Sequence, residues 1–111
     1  MVDLFRVTSR DFEDGRIFVL IGELDISSSQ GLPEQLQGPP GSVVVLDLSE
    51  LTFIDSSGLG AIHKARRLAI KDGGNLLVCR PQENVLRVLQ LTGLDAWVTD
   101  WNPKWLASPG P

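Results

Sequence analysis

Short apolar runs alternate along the chain with polar, glycine- and proline-rich breaks. Residues 4 to 8 (Leu-Phe-Arg-Val-Thr) and 17 to 21 (Ile-Phe-Val-Leu-Ile) are rich in β-branched and aromatic side chains, and Asp-Phe-Glu-Asp-Gly at 11 to 15 between them is turn chemistry. This pattern predicts a hairpin. After Gly22-Glu23-Leu24-Asp25, the serines Ser27 to Ser29 offer N-cap hydroxyls to a helix carrying Leu32 and Leu36 four residues apart. Pro33 lacks an amide donor and would clash with the carbonyl of Ser29, so this helix is expected to begin late or bend. Gly38-Pro39-Pro40-Gly41 should end it.

Residues 43 to 48, Val-Val-Val-Leu-Asp-Leu, form a nearly unbroken apolar run, the pattern of a central strand covered by helices on both faces. From 57 to 71 the period changes to helical: Gly58, Ala61, Ile62, Ala65 and Ala69 fall on one side and His63, Lys64, Arg67 and Lys71 on the other. Gly73-Gly74 closes that helix. Asn75 to Cys79 reads as a second buried strand, Glu83 to Leu91 as a helix stopped at Gly93, and 97 to 101 as a last edge strand. The expected fold is α/β, a single domain over residues 1–101. Its order is β-β-α-β-α-β-α-β, with a mixed central sheet of four to five strands, helices packed against it and right-handed crossovers. Residues 102–111, with three prolines, are expected to be a loose C-terminal tail.

Composition narrows the chemistry. With 111 residues, 42% hydrophobic and 22% charged, the chain has room for one core and the usage of an ordinary globular protein. Cys79 is the lone cysteine, so no internal disulfide and no cysteine-based zinc site is expected, and no metal or cofactor is anticipated. No apolar run approaches membrane-spanning length and no leader pattern opens the chain, so a cytoplasmic location without membrane attachment is expected. The net charge of -4 disfavours nucleic acid as a partner. That total hides an asymmetry: ten acids against three bases through Asp55 (-7), then seven bases against four acids (+3). Four of the bases lie between Lys64 and Lys71, where they can simply form the solvated face of a helix.

The informative stretch is Leu51-Thr52-Phe53-Ile54-Asp55-Ser56-Ser57-Gly58-Leu59-Gly60, where a buried strand gives way to a helix at the carboxyl edge of the sheet. One reading is purely structural: Asp55 or Ser56 caps the helix and Gly58 permits close helix-to-sheet packing. Yet a cap needs one short polar residue and this turn supplies three. A spare serine in the first helical turn stands among free amides at the positive end of the helix dipole, a setting that favours an anion and makes it a good phosphate acceptor. A phosphoryl group would add about -1.5 to -2 charges there, close to Asp25 and Asp55.

Gly22-Glu23-Leu24-Asp25, Val-Val-Leu-Asp-Leu-Ser at 44 to 49 and Phe-Ile-Asp-Ser-Ser-Gly-Leu-Gly at 53 to 60 together resemble the STAS domain, and closely resemble the bacterial anti-sigma-factor antagonists. The resemblance spans residues 4 to 101. It implies that Ser57 is phosphorylated by an anti-sigma factor that is also a serine/threonine kinase. Asp25, Asp55, Ser56 and Gly58 would support the acceptor loop. It further implies a non-enzymatic partner switch in transcription regulation: the unphosphorylated form binds the kinase and frees a sigma factor, phosphorylation ends binding, and a PP2C-like, metal-dependent phosphatase restores it. Leu59, His63, Arg66 and Ile70 share one flank of the helix beside Ser57 and are proposed as docking residues, on a monomer or weak dimer. Pro33 and the Trp-rich end depart from the family pattern. The alternative is an unmodified STAS scaffold, a subunit of a signalling or lipid-transport complex. A third possibility is an enzyme or nucleotide-binding protein acting through the same loop.

Other candidates are weaker. His63 is the only histidine and points away from a hydroxyl at the helix start, which disfavours a hydrolytic triad. Gly58 and Gly60 lack the lysine of a phosphate-binding loop. Cys79 reads as an inert buried thiol. Trp97, Trp101 and Trp105 are spaced by four, but Pro103 interrupts any continuous helix, so they are expected to pack onto the body of the domain.

Overall fold

The computed structural model describes residues 5–106, and its elements follow the predicted alternation. In chain order they are β1 (Phe5–Phe12), β2 (Gly15–Leu24), α1 (Leu32–Gln35), β3 (Val43–Ile54), α2 (Ser56–Lys71), β4 (Asn75–Cys79), α3 (Glu83–Thr92) and β5 (Val98–Thr99). Short 3-10 turns occupy Leu94–Trp97 and Pro103–Leu106. The five strands lie in sequence order across one mixed sheet: β1 and β2 are antiparallel and every later pair is parallel. The predicted central strand, β3, is the middle one.

Sequential strand order has a consequence for layering. If each parallel crossover is right-handed and each step moves the same way across the sheet, every helix lands on the same face. The large core accordingly joins Phe18, Leu20, Val44, Leu46 and Val78 of the strands to Leu32 and Leu36 near α1, Ile62 and Ala65 of α2, and Leu89 of α3. The expectation that β3 is covered by helices on both sides is therefore corrected. On the far face Phe12, Ile17, Val45 and Cys79 are covered by Trp105 instead. Residues 103–106, expected within a loose tail, form a turn whose Trp105 is 8% exposed. The rest of that tail, 107–111, lies outside the described residues.

Two local differences shape the site. β3 runs six residues beyond the predicted Leu48, and past Asp47 it no longer pairs with β4. The exposed edge is satisfied by α3 instead: Gln82 Nε2 donates to the Ser49 carbonyl and Asn84 Nδ2 to the Thr52 carbonyl, both at 2.9 Å. Meanwhile α1 is a single turn that begins late, with Gly31 at its N-cap in the left-handed conformation (φ 71°) and Pro33 in its first positions. The serines do not cap it. They fold around Asp25.

Candidate functional site at the carboxyl ends of β2 and β3

Leu24 and Ile54, the last residues of β2 and β3, pair with each other, and the Asp55 amide donates to the Leu24 carbonyl at 3.2 Å. Asp25 and Asp55 thus leave neighbouring parallel strands side by side. Each carboxylate organises the loop that follows it. Asp25 Oδ1 accepts from the Ser27 hydroxyl (2.8 Å), the Ser27 amide (3.0 Å) and the Ser28 amide (3.1 Å). The Ser28 hydroxyl accepts from the Asp25 amide at 2.8 Å and donates to the Glu23 carbonyl at 2.9 Å. The Ser28 amide, with the Ser27 hydroxyl second, holds the Asp25 carboxyl below the usual aspartate value.

Asp55 is the cap of α2. Its Oδ1 accepts from the Gly58 amide at 3.0 Å, and its carbonyl accepts from the Leu59 amide at 2.9 Å. Neither serine is used for capping. Ser56 is exposed and Ser57 half-buried, and the Ser57 hydroxyl makes no hydrogen bond among the described residues. The amides of Ser56 and Ser57 open the helix, where no preceding turn exists to accept from them. A free hydroxyl, free amides and the positive end of a 16-residue helix therefore coincide. Gly58 fixes how close this turn lies to the sheet, since a β-carbon there would sit 2.7 Å from Leu24 Cγ and 2.9 Å from Ile54 Cγ1.

The flank of α2 singled out from sequence is partly engaged by the chain itself. Leu59 is half-buried against the main core. His63 lies 5.6 Å, centroid to centroid, from Trp97. Arg66 donates from Nε to the Leu76 carbonyl at 3.2 Å and stacks 4.6 Å above the Trp97 ring. Ile70 is 47% exposed. Among the basic residues opposite the core, Lys64 pairs with Glu34 at 3.3 Å.

Sequence reasoning weighed Gly60 only as a phosphate-loop glycine and gave Asp47 no role. Gly60 lies on the exposed side of α2 with nothing within 4 Å of a β-carbon placed there, so neither backbone conformation nor packing calls for a glycine. Its signal was its position inside a helical pattern. Asp47 is the one charge in the apolar run of β3. It is 3% exposed, and Oδ2 accepts from Arg80 Nη2 at 2.6 Å. Burial pushes its carboxyl up, but the Arg80 guanidinium and the Ser49 amide outweigh that and leave it below the ordinary value. Cys79 beside it is fully buried, and desolvation pushes its thiol up to about 12, consistent with an inert side chain. Among the described residues no group of His, Cys, Asp or Glu is arranged to hold a metal ion, and no helix is long and apolar enough to cross a membrane.

The model of the STAS domain matches residues 7–106. The chain belongs to the STAS domain family. Within it, this STAS domain is 38% identical over 79 residues to the anti-sigma F factor antagonist of Paenibacillus polymyxa, covering 68% of each chain. It is 30% identical over 77 residues to the anti-sigma-B factor antagonist of Bacillus subtilis (strain 168), covering 68% of this chain and 71% of that one. Among solved structures it is similar to the anti-sigma factor antagonist SpoIIAA in its unphosphorylated form, with a TM-score of 0.74 and 25% identity over 90% of both chains. SpoIIAA in the phosphorylated form, at 20% identity and TM-score 0.66 over 90% of this chain and 93% of that one, has the same fold.

Proposed function

We propose that this STAS domain is an anti-sigma-factor antagonist, a non-enzymatic partner switch whose phosphate acceptor is Ser57. The observation that carries the reading is the division of labour in the first turn of α2. Asp55 alone does the capping, so the Ser57 hydroxyl is left with no structural duty at a helix end whose amides and dipole favour an anion. The names of its relatives point the same way.

In this reading the unphosphorylated surface around Ser57 docks on an anti-sigma factor serine/threonine kinase, which releases its sigma factor. Asp25, Asp55, Ser56 and Gly58 hold the acceptor loop in place, and Leu59, His63 and Ile70 extend the contact along α2, with Arg66 held against Trp97 at its side. A hydroxyl is cheap to bury in such an interface. A phosphate without matching cations is not, and a penalty of about 4 kcal/mol already weakens binding about a thousandfold. A PP2C-like phosphatase would reset the switch in the cytoplasm.

The test is incubation with the cognate kinase and ATP. A single phosphate mass increment that Ser57→Ala abolishes is expected, as is a loss of kinase binding by Ser57→Asp. A phosphate mapped to another residue overturns the acceptor assignment. Undiminished binding by Ser57→Asp overturns the switch and leaves an unmodified scaffold.

A further inference from the structure

The far face of the sheet carries a second polar centre, remote in chemistry from the serine turn. The Pro103–Leu106 turn covers only part of that face, and beside it lies a cleft of about 450 Å³, within the range of small-molecule sites. Its floor is Ile17 and Val19 of β2, and its walls include Trp101 and Leu106. Arg10, Glu50 and the Asp47–Arg80 pair supply charge around it.

Stability alone does not select this arrangement. Arg80 is the one non-glycine residue with positive φ (52°) among the described residues, and it precedes Pro81, so its backbone is doubly constrained. Its guanidinium is clamped between the buried Asp47 carboxylate and the face of Trp101, 3.8 Å from the ring centroid. Trp101 is in turn fixed edge-on by Trp105 at 5.3 Å. Strained backbone and a buried carboxylate are both features that packed apolar side chains would avoid, and here they converge on the wall of one open cleft.

We propose that this cleft binds a small amphipathic monocarboxylate. The apolar body lies on Ile17 and Val19 and against Leu106, which is 52% exposed. The head group reaches Arg10, which forms no ion pair among the described residues, and the open side of Arg80, whose side chain is 44% exposed. Asp47 neutralises Arg80 only in part of its donor set, because Nη1 has no partner among the described residues while Nη2 and Nε face the carboxylate. Glu50 sets the charge limit. Arg10 pairs across the ladder with Ile17, and Glu50 with Ile21, four residues further along β2, so a second negative charge on the ligand would meet Glu50.

The test uses octanoate as the probe, titrated into the full chain while the indole N–H signals are followed by NMR, with Trp101→Phe identifying the Trp101 resonance. A saturable one-to-one shift of that resonance is expected, with Trp97 unmoved. Arg10→Gln, an exposed substitution that leaves the core untouched, should weaken binding about tenfold or more. Arg87→Gln, on α3, should leave it unchanged. Octylammonium should bind at least about tenfold more weakly than octanoate. The proposal is overturned by a shift that does not saturate, by equal affinity in the Arg10 variant, or by octylammonium binding as well as octanoate.

Discussion

Gly58 of α2 touches the backbone of Leu24: a β-carbon at Gly58 would stand 2.8 Å from the Leu24 carbonyl oxygen, the same oxygen that accepts from the Asp55 amide. The backbone of β2 cannot yield as a flexible side chain could. Gly58→Ala should therefore push the first turn of α2 off the sheet and cost about 1–3 kcal/mol, read as a fall in the urea midpoint. Because that turn holds Ser57, phosphorylation should slow as well. A fully stable Gly58→Ala would refute the close approach.

Gly60, two residues on, should behave in the opposite way. Its β-carbon would enter open space on the solvent side of the helix, so Gly60→Ala should raise stability by up to about 1 kcal/mol through helix propensity alone. If the surface beside Ser57 docks on a partner, the missing side chain lets the two backbones approach, and the same substitution should weaken kinase binding. A thermal melt and a binding titration on one protein separate the two effects. Stabilisation without loss of binding would remove Gly60 from the interface.

Asp55 and the serines beside it make a third contrast. Asp55→Ala removes the acceptor of the Gly58 amide and should cost about 1 kcal/mol, whereas Ser56→Ala, at an exposed position with no capping bond, should fall within about 0.5 kcal/mol of the parent. Chemical denaturation of the two variants in parallel checks the assignment of the cap. Equal losses would mean that the cap is shared.

Much of this architecture is legible because local periodicity and global topology agree. The β-branched pairs of β1 and β2, the apolar run of β3 and the helical spacing of α2 each have one stable reading, and their order leaves few topologies open. What escaped notice depends on contacts between residues far apart in the chain. Ser27 to Ser29 look like a helix cap because a cap and an aspartate-centred turn use the same residue types, and only the position of Asp25 at the end of a strand decides between them. Pro33 correctly signalled a late start for α1. The run Val43 to Leu48 suggests helices on both faces, but which layer covers the far face is decided by Trp105, sixty residues downstream. At the site, the turn itself shows a surplus of short polar residues but leaves the cap open between Asp55 and Ser56, and the choice of Ser57 comes from the resemblance; the engagement of His63 and Arg66 by Trp97 cannot be read from their spacing.

Trp105 is accordingly the fourth point of test. It closes the second cluster over Phe12, Ile17, Val45 and Cys79, to which α1, α2 and α3 contribute no residue. Trp105→Ala should cost about 3 kcal/mol and expose Cys79 to thiol reagents under native conditions. If residues 102–106 were a loose tail, neither stability nor thiol reactivity would change.

The Asp47–Arg80 pair yields a prediction in which pH decides the sign. In the parent protein the folded pKa of Asp47 is lowered, so its contribution is complete above the ordinary value of 3.8 and is lost as pH falls through the lower folded value. Arg80→Ala removes the cation that holds the carboxyl below its ordinary value, while the influence of burial stays, so the pKa of Asp47 moves up from its value in the parent. At neutral pH the loss should be about 3 kcal/mol, the lower end for a broken buried pair because Arg80 itself is partly solvated. On acidification the variant's carboxyl takes up its proton first, so the gap between variant and parent should narrow as pH falls toward 4. Denaturation curves across that range measure the gap directly. A loss independent of pH would show that Arg80 stabilises the fold through its stacking on Trp101 and not through its charge.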